Sequence, residues 1–280
     1  MKVISMFPES LVRPLGHGYF PIESILAPYL EEEGSPRSPD VAASLEQIGS
    51  DPEVAPYLRA LGDSPVCLIE GISSPRNGRA LRRFLEEKQI SSPHIQAIDL
   101  ADMRTIFQMV GDPLDGIGFQ VADASALGMI EEASVDLLVQ DSLLNCAPHC
   151  LHDAIMREAA RVLRPGGLGF INFTDHTGLA ERRRVRHPLP GARIYGLRDL
   201  PPALRDGLWQ GVVLLEVDHR KLTLVTAPHG NFEFYFPCDH VRALLERYGL
   251  QPVIHRRWLG VDRHGNTCHR HLTLVRRMRD

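Results

Sequence analysis

Between Ser134 and Phe173 the chain reads strand, loop, helix, Pro-Gly-Gly turn, strand. The runs Val135-Asp136-Leu137-Leu138-Val139-Gln140 and Leu168-Gly169-Phe170-Ile171-Asn172-Phe173 are apolar enough to be covered on both faces. Two-sided burial of this kind belongs to a parallel sheet flanked by helices. The same rhythm runs upstream. Val66–Glu70, Ile95–Asp99 and Gly118–Val121 read as strands, and Arg79–Lys88 and Met103–Val110 as the helices between them. Parallel neighbours need crossover helices, so the expectation is an α/β, doubly wound, mostly parallel sheet.

The two ends break the alternation. Residues 1–65 are punctuated by proline, with helices expected at Ile22–Glu33 and Pro52–Leu61 and a loop over Gly34–Asp40. Beyond Thr174 comes a basic loop, Arg182–His187, and then three short strands at Val212–Val217, Leu222–Thr226 and Phe232–Phe236, with Asp218-His219-Arg220 as a tight turn. Phe232, Phe234 and Phe236 share one face of the last of these. A helix over Asp239–Tyr248 stops at Gly249, and strands Pro252–Trp258 and His271–Val275 flank a turn at Gly265-Asn266. The expected organisation is an N-terminal helical cap over 1–65 and a main domain over 66–280, with 176–236 as an antiparallel insertion on the substrate side.

Composition narrows the partners. The 280 residues carry 31 Lys+Arg against 35 Asp+Glu, a net charge of −4, so no general pull toward nucleic acid or anionic lipid is expected. Arg256-Arg257 and Arg276-Arg277 lack an aromatic stacking platform. Met1–Val12 has no apolar signal core, and no window approaches a membrane span of about 18 apolar residues. The 5 cysteines are scattered, which suits free thiols in a reducing cytoplasm. Cys268-His269-Arg270-His271 and Cys146-x₃-Cys150 lack the paired spacing of zinc sites, and no partner for His269 or His271 is apparent, so no metal is expected.

The words Val135-Asp136-Leu137-Leu138-Val139 and Arg161-Val162-Leu163-Arg164-Pro165-Gly166-Gly167 resemble the later core motifs of the class I S-adenosylmethionine (SAM)-dependent methyltransferases. The resemblance is good over roughly residues 66–175. It implies a seven-stranded sheet closed by an antiparallel hairpin, SAM as cofactor, a segment folding over it, and ligands at the carboxyl ends of the strands. Glu70-Gly71 then stands for the family's acid-glycine motif, followed by Ser73 on the cofactor loop. Asp99, with Leu100 beside it, would accept both ribose hydroxyls. Asp123-Ala124 would meet the adenine, the carboxylate on its amino group. The stretch Ile72–Gly78 departs from the pattern, being longer than the usual turn, and the only glycines of the loop are Gly71 and Gly78.

Methyl transfer is an in-line displacement, for which a protein aligns the acceptor, excludes water and, for a poor nucleophile, takes its proton. Asp141 is the candidate for the ammonium group of SAM and Asn145 for orienting an acceptor. His176 is the candidate base, ahead of His149, and Tyr19 a ring against the sulfonium. The leading expectation is a small-molecule O- or N-methyltransferase of undetermined oligomeric state. A SAM cyclase or lyase releasing methylthioadenosine, and a non-catalytic SAM-binding module, are the alternatives raised by the unusual first loop.

Overall fold

The computed structural model describes residues 41–72, 75–100, 102–109, 111–147, 149–175, 223–226, 232–235, 238–261 and 267–278. Its centre is a seven-stranded sheet in the order β3-β2-β1-β4-β5-β9-β8. The strands are β1 Val66–Glu70, β2 His94–Asp99, β3 Gly118–Val121, β4 Val135–Asp141, β5 Leu163–Asp175, β8 Leu250–Val261 and β9 Thr267–Arg277. The first five run parallel, and β9 enters antiparallel between β5 and β8. A separate antiparallel pair, β6 Thr223–Thr226 and β7 Phe232–Tyr235, matches the second and third strands expected of the insertion. The first expected strand, the basic loop and the Gly265-Asn266 turn lie outside the described residues. Among the described residues no helix is long and apolar enough to cross a membrane.

Alternation along the strands splits the core in two. Cys67, Ile69, Leu137, Val139, Phe170 and Leu272 face one way, against helices α1 Val41–Gly49, α2 Ala55–Arg59, α3 Pro75–Glu87 and α4 Met103–Met109. Leu68, Leu138, Ile171, Phe173 and Val275 face the other, against α6 His149–Val162 and α7 Cys238–Arg247. Between β4 and α6 lies one further helical turn, α5 Leu143–Cys146.

Three expectations change. Helix α1 was not foreseen, and its Leu45 and Ile48 are buried in the first core layer with Val54, Leu58 and Leu61. Residues 41–61 therefore pack into the main core, and the rest of the expected cap, including the helix at Ile22–Glu33, lies outside the described residues. Helix α3 begins at Pro75, so Pro75–Gly78, read as loop, is its first turn. Proline suits that position because its missing N–H is one the first turn leaves unpaired anyway.

The third change concerns Pro165-Gly166-Gly167. The backbone there does not leave the strand, since β5 already begins at Leu163. The pairing jumps from Val135↔Leu163 to Leu137↔Leu168, and the residues between bulge out. Gly166 takes φ 84°. A Cβ on Gly167 would lie 2.9 Å from the Arg164 carbonyl oxygen and 3.2 Å from that of Val135. Gly167→Ala therefore requires a backbone shift and is expected to cost about 1–3 kcal/mol. Thermal or urea unfolding reads it, and an unchanged midpoint would remove the steric account.

Candidate functional site

In the order β3-β2-β1-β4-β5 the direction of winding reverses between β1 and β4, and ligands of open sheets lie beyond the carboxyl ends of the strands at such a reversal. Register brings the expected residues to that edge. Glu70 pairs with Ile98 on one side and Gln140 on the other, Asp99 pairs with Val121, and Asp141 pairs with Asn172.

Glu70 closes β1 with 0% exposure. Its Oε2 accepts from Gln140 Nε2 at 2.6 Å, a bond that spans the reversal itself. Burial raises its pKa to about 8, opposed by the Gln140 bond. Among the described residues, Glu70 Oε1, Gln140 Oε1 and Asn172 Oδ1 are buried acceptors with no partner. Buried acceptors are rarely left so, which makes this edge a place for donors or positive charge from a ligand. Gly71 follows at φ 76° and donates its N–H to the Ile98 carbonyl at 3.0 Å. A side chain there would meet Leu143 at 3.1 Å as well as strain the backbone.

Asp99 and Leu100 are half-buried at the end of β2. Capping of the next helix falls to Asp102, whose Oδ1 and Oδ2 accept from Thr105 N at 3.2 Å and Thr105 Oγ1 at 2.8 Å. Asp99 is thus not required as the cap. After β3, Asp123 Oδ1 accepts from Ser125 N at 2.8 Å and Ser125 Oγ at 2.7 Å, fixing the turn, while Ala124 is buried beneath it.

Beyond β4, Asn172 Nδ2 donates to Asp141 Oδ1 at 2.8 Å and to Ser44 Oγ at 3.3 Å. Helix α1 thereby reaches the β4–β5 edge. Ser142 adopts φ 55°, a left-handed conformation unusual for serine and held by its N–H on the Asn172 carbonyl at 2.9 Å. Asn145 is buried with both amide atoms on one residue, Nδ2 donating to Thr174 O at 2.9 Å and Oδ1 accepting from Thr174 N at 2.8 Å. In this structure it braces the end of β5. His149 opens α6, while Ser73, Tyr19 and His176 lie outside the described residues.

Sequence reasoning passed over Gln140, Asn172 and Ser44. A glutamine ending the run Leu137-Leu138-Val139 and an asparagine inside Phe170-Ile171-Asn172-Phe173 are polar side chains in buried positions, and that was the available signal. It weighed His269 and His271 and found no partner for them, because their neighbours come from distant segments. His271 is stacked on Phe173 with ring centroids 4.7 Å apart, and its Nε2 lies 2.9 Å from Asp175 Oδ2. His271 Nδ1 is 3.0 Å from His255 Nε2, and His255 Nδ1 is 2.8 Å from Thr273 Oγ1. Burial, and then the neighbouring His271, lowers the His255 pKa. On the adjoining helices, His152 Nε2 donates to the Ala147 carbonyl at 3.0 Å, so its Nδ1 accepts from His240 Nε2 at 2.9 Å.

Comparison with known proteins gives the arrangement a context. Residues 78–171 match a family model described as "Methyltransferase domain". Among solved structures, the chain resembles a SAM-dependent methyltransferase of Methanosarcina mazei with TM-score 0.56 and 18% identity, over 82% of this chain and 99% of that one. A SAM-dependent methyltransferase of Mesorhizobium loti matches with TM-score 0.48 and 15% identity, over 82% and 100%. The 1,6-didemethyltoxoflavin-N1-methyltransferase of Burkholderia thailandensis, solved with 1,6-didemethyltoxoflavin and S-adenosylhomocysteine, matches with TM-score 0.48 and 17% identity, over 85% and 80%. No curated relative matches the sequence.

Proposed function

We propose that this chain, a class I SAM-dependent methyltransferase by its domain and fold, methylates a small molecule at an oxygen or nitrogen atom. The observation that carries the reading is the row of acceptors around the β1/β4 reversal: Asp99, Asp123 and Asp141, with the unpartnered Glu70 Oε1, Gln140 Oε1 and Asn172 Oδ1 among them. When bound, SAM supplies an electrophilic methyl group on its sulfonium. It also brings an ammonium group, two ribose hydroxyls and an adenine amino group, which are the donors and positive charge that such an edge lacks.

Each residue then has a role. Asp99 takes the two ribose hydroxyls. Asp123 meets the adenine amino group through Oδ2, because Oδ1 is engaged by Ser125. Leu100 and Ala124 line the adenine, and Gly71 with Ser73 lets the first loop approach the amino-acid end. Asp141 holds the ammonium group, aimed by its bond from Asn172. Asn145 serves the acceptor side indirectly, by fixing the end of β5 through Thr174. His176, next along the chain from Asp175, is the proposed base, and Tyr19 the proposed ring against the sulfonium.

The small acceptor is supported by the excursion after β5. Strand β7 lies against α5, the turn that leaves the carboxyl end of β4. A β6–β7 pair beside that turn favours an enclosed space on the acceptor side. The cyclase alternative drew on a long first loop. Helix α3 starts at Pro75, which shortens that loop and leaves its shortage of glycines as the remaining departure.

Thermal unfolding with SAM and with S-adenosylhomocysteine tests cofactor binding. A ligand at a hundred times its Kd is expected to stabilise the fold by about 2.7 kcal/mol. No shift with either ligand would overturn the reading. Mass spectrometry of the nucleoside product tests the chemistry. S-adenosylhomocysteine formed only when a small acceptor is supplied supports methyl transfer, whereas methylthioadenosine formed from SAM alone would replace it with cyclisation or lysis.

A further inference from the structure

The histidines at the end of the sheet carry a second site. Cys238, the first residue of α7, His255 of β8 and His271 of β9 each turn one ligand atom to a common point, all within 4.8 Å of one another. His271 Nδ1 lies 3.0 Å from His255 Nε2, His255 Nδ1 is 2.8 Å from the Thr273 hydroxyl, and His271 Nε2 is at ion-pair distance from Asp175. A neutral imidazole has one N–H and one lone pair, while a hydroxyl can donate or accept. When Thr273 donates to His255 Nδ1, the inner nitrogens share one proton. When His255 Nδ1–H donates to Thr273 instead, His255 Nε2 and His271 Nδ1 both offer lone pairs, which is the arrangement that receives a cation.

We propose that Cys238, His255 and His271 bind a divalent zinc ion. Zn–N bonds of about 2.0 Å and a Zn–S bond of about 2.3 Å put tetrahedral ligand atoms roughly 3.3–3.6 Å apart. The histidine pair need open by only a few tenths of an ångström, and the Cys238 sulfur, within 4.8 Å of both, need close by about an ångström at most. A metal-bound histidine typically gives its second N–H to a carboxylate or other oxygen, and Thr273 Oγ1 is already bonded to His255 Nδ1 while Asp175 Oδ2 lies 2.9 Å from His271 Nε2 and needs only to align. Charge also balances. Zinc, a Cys238 thiolate and the Asp175 carboxylate sum to zero, so the loaded site adds no net charge beside the nearby Arg242 and Arg257, which would repel a bare cation. Cys238 is partly exposed and His255 exposed, so an ion can enter from solvent.

The ion would add a covalent tie between α7 and the β8–β9 pair, which already pack together through Val241, Leu244 and Leu245 against Leu250 and Val275. Three protein ligands leave one tetrahedral position open, as in zinc sites that hold water or a substrate atom.

Cobalt substitution of the reduced, metal-stripped protein tests the proposal. One equivalent of Co²⁺ should give a thiolate-to-cobalt charge-transfer band with tetrahedral d–d absorption, and one equivalent of Zn²⁺ should abolish both. Cys238→Ser should lose the charge-transfer band. His255→Gln, at an exposed position that tolerates exchange, should bind Zn²⁺ at least tenfold more weakly in competition with a chromogenic chelator. His94→Gln, an exposed histidine at the start of β2, should bind as the wild type does. Failure of the wild type to take up one equivalent, or retention of the thiolate band in Cys238→Ser, would overturn the site. The test does not rely on His271→Gln, since losing the stacking on Phe173 would itself weaken the fold.

Discussion

Glu70→Gln is expected to abolish a pH dependence of stability that the ligand-free wild type shows between mildly acidic and mildly alkaline pH. The cause is burial without compensation, since Glu70 has one partner for two carboxylate oxygens. Its pKa rises from 4.5 to about 8 on folding. Between these values the native state keeps a proton that the unfolded state has released. Stability therefore falls as pH rises through that window, and it is greatest below the unfolded pKa. At about 1.4 kcal/mol per pKa unit the full shift corresponds to roughly 5 kcal/mol, a large part of the 5–15 kcal/mol typical of a domain.

Urea unfolding at about pH 5 and about pH 8 checks the prediction. Parallel slopes in wild type and variant would assign the pH dependence to other groups.

Asp99→Ala is expected to weaken SAM binding at least tenfold, about 1.4 kcal/mol or more. The proposed role gives each carboxylate oxygen one ribose hydroxyl, and charge-assisted bonds of this kind contribute about 1.5–3 kcal/mol apiece. Folding should survive the change because the following helix is capped by Asp102. Titration calorimetry of a variant with a native unfolding midpoint gives the answer. Equal affinity would sink the ribose assignment. Asp99→Asn, which keeps one acceptor oxygen, should fall between the two.

The stretch that first suggests a family is also the one whose physical reason lies farthest from the chemistry. Asp136 accepts the Val66 N–H at 2.7 Å and pairs with Arg164, locking the amino ends of β1, β4 and β5. Arg161 spends its guanidinium on Glu158 and on the carbonyls of Leu127 and Ile130, which binds the end of α6 to the loop before β4. Gly166 and Gly167 allow the bulge that follows. These residues stabilise the end of the sheet opposite the site, so the signature reports the fold and names the cofactor only by association. The acids at Glu70, Asp99, Asp123 and Asp141 were legible for a different reason: each stands at or just beyond a strand end, and strand ends follow from local apolar runs.

What the sequence by itself determined is therefore the periodic part. Strand period, helix period and the acids at strand ends are all encoded within short windows, because burial on two faces forces continuous apolar runs. What only the tertiary structure decided depends on contacts between distant segments. The Glu70–Gln140 bond joins residues 70 apart. Ser44 meets Asn172 across a separation of 128, which no periodicity foretells. Cys238, His255 and His271 sit in three elements and carry no motif spacing. They meet because β9 runs antiparallel between β5 and β8 while α7 packs over that face. Pairing register and layer packing, set by the whole core, bring them to one point.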